Sequence, residues 1–501
     1  MENPAFFSLL VLTEASSWKP VENVLLTGCG ILPPKLTHSP QGRLRMALGK
    51  RATEQQAAWV ATNELPKSPG HPFYKRLNIL LREAGFDEWL EKLCAPYYAA
   101  KIGRESIPPG VYFRMILVGY FEGISSQRGI AWRCSDSRSL AEFLGVPVHE
   151  ATPDHSSLSR IHGRLPLEVH EAMFVFVLKL AAEHQLLSGK TVAVDSTLLE
   201  ADAAMRSIVR RVTGEDWKTY LRGLAAEAGL ENPTDEELRR FDKTRRDKKV
   251  SNDDWVSPND PESRIARMKD GTTHPAYKAE HVVDLKTDLV LSATIYPANR
   301  ADSETLAESV VQAQLNVIEA GSPANIEEAV ADKGYHAAQT LAVVNESFGI
   351  RTYIPEPKRK VPWKWGERSE AERTAVTANH RRVRGARSKK LQRLRSEFTE
   401  RTFAHVCETG GARRCWLHGL LPVSKRYLLQ VAARNLGLIM RKLFGIGTPK
   451  GLQQEADIAA PAYLLLLMTW YILSAYRRVL TSLSASAVRH GHRWPALAPL
   501  A

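Results

Sequence analysis

Two aspartates occupy the same local setting, each directly after a short apolar run. Asp195 ends Val-Ala-Val-Asp and precedes Ser-Thr, and Asp332 ends Glu-Ala-Val-Ala-Asp and precedes Lys-Gly-Tyr. We predict that both acids end short strands where a site opens, because an acid in mid-strand would bury an unpaired charge. Two such carboxylates, with a third acid from a helix, can hold two Mg²⁺ ions for in-line phosphoryl transfer. Three acids scattered along a chain also arise commonly by chance.

The predicted elements around these aspartates alternate between helices and strands, which is typical of a mixed α/β fold. Apolar residues recur at helical spacing in 169–187, 303–320 and 425–444. A hairpin is predicted around the turn at 286–288. Asn299 and Asp302, which follow it, are interpreted as turn and helix N-cap residues, with a contribution to the metal site as the alternative.

The segment 46–165 is predicted to be an all-helical domain. Near its end, Thr152 or Asp154 caps a helix that presents small polar and basic side chains. These side chains are Ser156, Ser159, Arg160 and His162. The pattern fits a helix-turn-helix-like DNA-binding domain, and it fits a plain helical bundle with a polar face equally well.

Three further segments depart from the α/β pattern. Residues 1–45 show no sustained period, so we expect a disordered or non-native extension and a true start at Met46. Residues 205–276 alternate charges heavily, which predicts an exposed, partly helical insertion. Residues 446–501 are predicted to form a helical tail, whose apolar run at 459–476 is interpreted as a buried helix rather than a membrane span.

The composition indicates a folded, basic protein. Of its 501 residues, 44% are hydrophobic and 25% are charged, which excludes a disordered chain, and the net charge of +13 favours a polyanionic partner. The five cysteines form no cluster with zinc spacing, so free thiols in a reducing cytoplasm are expected. No basic segment precedes the apolar residues 6–12, so no signal peptide is expected.

Seven segments, taken in order, form a specific signature. They are FLGVPVHEATPDHSSLSRI, VAVDSTLLEADA, SPNDPESRIARMKDG, AYKAEHVVDLKTDLVLSATIYPANRAD, VADKGY, RSEFTERTFAHVCETGGARR and KRYLLQVAARNLGLIMRKLFGIGTP. Together they resemble the DDE-type transposases of bacterial insertion sequences, in the insertion-sequence four/five-like group and most of all its eleven-eighty-two type. The similarity covers most of residues 46–450.

This resemblance implies a fold. It implies a ribonuclease H-like core at 166–445, in which a mixed sheet is flanked by helices and interrupted by the insertion at about 205–276. It also implies that the all-helical domain at 46–165 helps to recognise transposon ends.

The resemblance also implies the catalytic acids. Asp195 matches the first acid and Asp332 the second. The third falls in RSEFTERTF, where the family pattern is a glutamate followed three residues later by phenylalanine, and Glu400 fits this spacing. Glu397 and Glu408 remain the alternatives. The implied cofactor is Mg²⁺, as two ions, with Mn²⁺ as a substitute.

DNA is the implied partner, both as transposon terminal inverted repeats and as target DNA. A synapse of two ends implies a homodimer or a higher assembly. We expect a cytoplasmic, nucleoid-associated bacterial protein with no membrane partner. The residues predicted to contact DNA are Ser159, Arg160, Lys278, Lys333, Arg395, Arg401, Arg413 and Arg414.

One position departs from the family pattern. Related transposases usually carry a lysine about two turns after the glutamate, where a cation can hold a DNA phosphate, and Cys407 stands there in this chain. The neighbouring arginines are the candidates to supply that charge.

The sequence therefore predicts a transposase that nicks at transposon ends and joins the freed 3′-hydroxyl to target DNA. Two alternatives remain. One is a metal-dependent nuclease that cuts without joining, and the other is a catalytically inactive or repurposed sequence-specific DNA-binding protein.

Overall fold

The computed structural model describes residues 61, 70–99, 106–244, 252–358, 366, 368–451, 468–471 and 473–474. The predicted extension at 1–45, the predicted start at Met46 and most of the predicted tail at 446–501 lie outside the described residues.

Helices alone precede the first strand in the described residues. They are α1 (Pro72–Glu83), α2 (Phe86–Cys94), α3 (Pro109–Glu122), α4 (Gln127–Ser135), α5 (Arg138–Leu144), α6 (His155–Arg164) and α7 (Leu167–Glu183). Local sequence sets where several of them begin: prolines stand in the first turns of α1 and α3, and Asp154 caps α6 by accepting from the Ser157 backbone N–H at 2.8 Å. The prediction of a helical region before Asp195 is confirmed, and Asp154 rather than Thr152 is the N-cap.

The face of α6 differs from the predicted one at a single residue. Ser159 and Arg160 are exposed, as expected for side chains that a helix presents. His162 is buried, and its Nδ1 lies 3.3 Å from the Tyr112 hydroxyl of α3. The prediction that His162 is presented is therefore wrong, because this ring packs into the helical core.

Eight strands follow in the described residues. They are β1 (Thr191–Glu200), β2 (Val209–Arg210), β3 (Trp255–Val256), β4 (Arg264–Arg267), β5 (Thr273–Asp284), β6 (Val290–Pro297), β7 (Glu328–Val330) and β8 (Arg351–Tyr353). Six of them form one sheet in the order β4-β5-β1-β7-β8, with β6 also paired to β5. The β5–β6 pair is the predicted hairpin, and Asp288 in its turn has a positive φ of 68°. The sheet is mixed, because β1 pairs antiparallel with β5 and parallel with β7.

The remaining helices are α8 (Trp217–Glu227), α9 (Asp235–Thr244), α10 (Asp302–Glu319), α11 (Ala338–Ala342), α12 (Glu370–Arg384), α13 (Ala386–Phe403) and α14 (Leu420–Phe444). The helices predicted at 303–320 and 425–444 correspond to α10 and α14. The N-cap of α10 is Ala301, so Asp302 is the first residue of that helix and not its cap.

Two helices flank β1 on opposite sides of the sheet. Successive residues of a strand point to opposite sides, so the side chains of Asp195 and Ser196 point to opposite faces of the sheet. Asp195 contacts α13 and Ser196 contacts α10. We call these two sides the α13 face and the α10 face.

The segment predicted as a charged insertion contains α8, α9, β2 and β3. It has small apolar clusters of its own, one around Trp255 and one around Leu221. From β4 onward the chain already pairs into the main sheet, because β4 is hydrogen-bonded to the first residues of β5.

The apolar run at 459–476 is described only in part. The side chains of Met468, Trp470, Tyr471 and Leu473 are all exposed. The expectation of a buried helix is therefore wrong for these residues, whose large apolar side chains lie at the surface. No helix in the described part of the chain is long and apolar enough to cross a membrane.

Candidate active site

Asp195 lies in the middle of β1 rather than at its end, since β1 continues to Glu200. On one side, β5 pairs along β1 and places His281 opposite Asp195. On the other side, β7 pairs with β1 only as far as Ala193. The prediction of a strand end is therefore wrong for Asp195, yet the carboxylate reaches an opening because the parallel neighbour ends before it.

Asp332 stands at that same opening. It follows the last residue of β7 by two positions and begins a 3-10 turn over Lys333–Tyr335, where its Oδ1 accepts from the Gly334 backbone N–H at 2.7 Å. In the parallel pairing, Ala193 stands opposite Val330. Asp195 and Asp332 each follow this pair by two residues, on neighbouring strands that are about 4.8 Å apart where they pair.

The Asp195 carboxylate is held mainly from α13. Its Oδ2 accepts from Arg395 Nη1 at 2.7 Å and from Thr399 Oγ1 at 2.9 Å, and its Oδ1 accepts from the Ser196 backbone N–H at 2.9 Å. Burial raises the pKa of Asp195 above its ordinary value, the three donors oppose this, and the nearby charge of Asp332 raises the pKa further. Two acids that repel each other at an opening favour a bound cation, and here Arg395 supplies one.

Helix α13 is fixed against both acidic strands. Gln392 Nε2 donates to the backbone carbonyls of Ala331 and Tyr353, at 3.0 and 2.7 Å. One turn later, Arg395 and then Thr399 reach Asp195. The side of α13 that faces the sheet therefore runs along the opening between β1 and β7.

The three candidate glutamates lie in different surroundings. Glu400 is exposed and directly follows Thr399, so it stands about 100° around the helix from the contact with Asp195. Glu397 points about 160° away from the sheet-facing side and forms an ion pair with Arg401. Glu408 lies beyond α13 and pairs with Arg413 at 2.7 Å. Among the described residues, none forms an ion pair with Glu400.

Three of the basic side chains predicted to contact DNA lie beside Asp332 or along β1. Lys333 is exposed beside Asp332. Arg413 donates to Thr197 Oγ1 and to the Leu198 carbonyl of β1, both at 3.3 Å. Arg414 is exposed and stacks on Trp416, with its guanidinium 5.0 Å from the ring centre.

Arg401 is partly engaged elsewhere, with Asp288 at 3.4 Å in addition to Glu397. On α6, the Ser159 hydroxyl donates to Gln127 of α4, and Arg160 Nη2 donates to Ser156 Oγ at 2.8 Å. Contacts of these residues with DNA stay predictions.

Lys278 is the predicted DNA contact that the structure places inside the protein. It is 4% exposed, and its Nζ lies 2.9 Å from Thr305 Oγ1, 3.2 Å from Asp302 Oδ1 and 3.5 Å from Glu280 Oε2. Its ammonium group therefore lies on the α10 face, buried against α10, and not at a surface that DNA could reach.

Cys407, where the family usually has lysine, is also buried. Burial raises the pKa of its thiol to about 11, so it stays uncharged and cannot replace the cation. Arg413 lies on the loop that follows Cys407. Of the predicted arginines that contact β1, it is the nearest to Cys407 in sequence.

The sequence interpretation missed a buried polar cluster on the α10 face. Glu280 is fully buried and accepts from Ser309 Oγ at 2.5 Å, Thr305 Oγ1 at 2.7 Å and the Tyr335 hydroxyl at 3.0 Å. Burial raises the pKa of its carboxyl, although these donors and Lys278 oppose the shift. A signal was present, because Lys278 and Glu280 occupy alternate positions of a largely apolar strand and therefore share one face.

The opening fits a hard divalent cation by its donor chemistry, since carboxylate oxygens are the ligands that such ions prefer. The Asp195 carboxylate already forms an ion pair with Arg395, so this position already stabilises a positive charge. Among the described residues, no three His, Cys, Asp or Glu side chains are close enough together to hold one ion.

Two families match the chain. Residues 64–164 match the family described as Transposase domain (DUF772), and residues 190–436 match the family described as Transposase DDE domain. The second match runs from β1 into α14 and includes Asp195, Asp332 and Glu400. It implies a ribonuclease H-like fold, with which the mixed sheet and flanking helices agree, and proteins with this domain generally use divalent metal ions. No curated protein and no solved structure matches the chain.

Proposed function

The chain belongs to the DDE-type transposases of insertion sequences, enzymes that cleave and transfer DNA, and from this premise we propose that it cuts at the ends of its own element and joins the freed 3′-hydroxyl to target DNA. The observation that carries the proposal is the placement of Asp195 and Asp332 at one opening between parallel strands. The order of the sequence motifs supports a place in the eleven-eighty-two type.

Asp195, Asp332 and Glu400 are the residues that we propose to hold the ions, Mg²⁺ with Mn²⁺ as a substitute. When bound, such ions activate the attacking oxygen and stabilise the leaving oxygen of a phosphoryl transfer. The two aspartates provide carboxylates that need no large movement, because Asp195 lies in β1 and Asp332 follows β7 by two residues, and both strands are paired in the sheet.

Glu400 is favoured as the third acid by two features. It borders the sheet-facing side of α13, next to the residue that contacts Asp195. Its carboxylate is not committed to an arginine among the described residues, whereas those of Glu397 and Glu408 are. Rotation about the side-chain bonds of Glu400 can bring its carboxylate toward a cation at the opening.

The DNA path is proposed from the exposed cations. Lys333 lies beside Asp332, and Arg413 and Arg414 lie along the later part of β1. All three suit contacts with backbone phosphates, which do not read sequence. Ser159 and Arg160 on α6 are proposed to contact the transposon end. Because two ends must be held together, we propose that a dimer or a higher assembly acts.

The test is a cleavage and joining assay on a labelled transposon-end duplex with Mg²⁺ or Mn²⁺. Asp195→Ala, Asp332→Ala and Glu400→Ala are each expected to lower the rate by about a thousandfold or more, because each removes a ligand of the charge-stabilising ions. Glu397→Ala is the matched control on the same helix and is expected to change the rate by less than about threefold.

The outcomes separate the candidate functions. If Glu400→Ala stays active while Glu397→Ala or Glu408→Ala does not, the assignment of the third acid is wrong. Cleavage by the wild-type protein without joining would identify a nuclease. Tight binding of the end duplex without cleavage would identify an inactive or repurposed DNA-binding protein.

A further inference from the structure

A third aspartate, outside the proposed set of acids, lies against both catalytic strands. Asp302 is the first residue of α10, and its Oδ1 accepts from Ser196 Oγ at 3.0 Å and from Lys278 Nζ at 3.2 Å. Ser196 directly follows Asp195 in β1. Asp302 therefore ties α10 to the strand that carries the first acid.

The other oxygen of Asp302 lies close to the second acid. A Cβ atom placed on Gly334 would stand 2.9 Å from Asp302 Oδ2 and 3.0 Å from Asp332 Oδ1. Both carboxylates therefore lie close to Gly334, where a Cβ atom would force one of them to shift. Asp302 thus lies beside the loop of Asp332 as well as against β1.

The charge of Asp302 has a specific partner. Lys278 is a buried cation that lies between Asp302 and Glu280. If the Asp302 carboxylate were neutral, Glu280 would remain the one acidic partner of Lys278 among the described residues. The cluster would then have one negative charge fewer, and this loss would act on the neighbouring acids through protein rather than water, where charges interact strongly.

We infer that Asp302 is a positioning residue of the metal site, which holds Ser196 in place beside Asp195 and offsets the charge of Lys278 behind it. This inference rests on the proposed function, since it assumes that Asp195 and Asp332 bind divalent ions. Asp302 is not itself assigned as a ligand, because its Oδ1 is already bound to Ser196 and Lys278.

The experiment measures Mn²⁺ affinity by electron paramagnetic resonance of the free ion, with thermal unfolding recorded for each full-length variant. Asp302→Asn keeps the size of the side chain and is expected to weaken Mn²⁺ binding by about tenfold. Glu304→Gln, which removes an exposed carboxylate from the same turn of α10, is the matched control and is expected to leave the affinity unchanged.

Two more variants separate charge from geometry. Lys278→Met combined with Asp302→Asn removes both charges and is expected to bring the Mn²⁺ affinity back to within about threefold of the wild type. Ser196→Ala removes one hydrogen bond to Asp302 without changing any charge and is expected to weaken binding by about threefold.

The inference is overturned if Asp302→Asn binds Mn²⁺ as the wild type does, or if it only lowers the unfolding temperature. It is also overturned if the double variant binds no better than Asp302→Asn alone. Wild-type protein that binds no Mn²⁺ would remove the proposed metal site and this inference with it. Failure of the proposed function is thereby distinguishable from failure of the role of Asp302.

Discussion

The α10 face and the α13 face of the sheet both carry carboxylates, but they hold them differently. On the α10 face, Glu280 is fully enclosed by three hydroxyl donors and a lysine. On the α13 face, the Asp195 side chain keeps 25% of its surface exposed and is held by Arg395 and Thr399 of α13. Burial raises the pKa of both carboxyls, but only one of them is open to an incoming ion.

This difference separates structural acids from exchangeable ones. A buried polar network with every group satisfied fixes geometry and resists substitution. A partly exposed ion pair contributes little to stability, since water competes for both partners. We therefore expect stability to depend on the α10 face and ion binding to depend on the α13 face.

The largest expected effect is the contrast between two alanine substitutions. Glu280→Ala is expected to lower the free energy of unfolding by about 3–5 kcal/mol, because it leaves a buried lysine and three hydroxyls without their acceptor. Asp195→Ala is expected to lower it by about 1 kcal/mol or less. Urea unfolding measures both, and equal losses would contradict the proposed division between the two faces.

A smaller effect is expected on ion affinity at Arg395. Arg395→Gln removes the cation that competes for Asp195, so Mn²⁺ affinity of the protein without DNA is expected to rise about threefold to tenfold. Arg401→Gln is the control, because its guanidinium pairs with Asp288 and Glu397 instead. Weaker Mn²⁺ binding by Arg395→Gln would show that the arginine supports the ion site rather than competing for it.

The last effect concerns pH and tests the core beneath the α13 face. His281 is fully buried between the hydroxyls of Thr402 and Tyr427, and burial lowers its pKa from 6.5 to about 3. Below pH 6.5 the unfolded chain therefore binds a proton that the folded chain excludes. The free energy of unfolding is expected to fall as pH decreases from 6.5 toward 3, by up to about 1.4 kcal/mol per pH unit from this group.

His281→Gln should make that pH slope shallower, because the substituted side chain does not titrate. His149→Gln, which changes an exposed histidine, should alter it less. Urea unfolding between pH 7 and pH 5 gives the slope, and identical slopes for wild type and His281→Gln would contradict the assignment.

Part of the fold could be predicted from local sequence. The α6 cap at Asp154, the β5–β6 hairpin and the helix that became α10 were all predicted, since caps, turns and apolar periodicity act over a few residues. The interpretation was wrong for His162 and for the position of Asp195 within β1, because burial and strand pairing depend on distant segments.

The residue types after the apolar runs of β1 and β7 can be read from the sequence alone, as can the order of motifs that marks the family. The fold is needed to show that β7 ends before Asp195, that the Lys278 side chain points inward and that the Asp302 carboxylate lies close to Gly334. These two kinds of feature depend on interactions of different range along the chain. Periodicity and capping depend on neighbours in the chain, whereas the solvation and pairing of a charge depend on whichever distant segment packs against it.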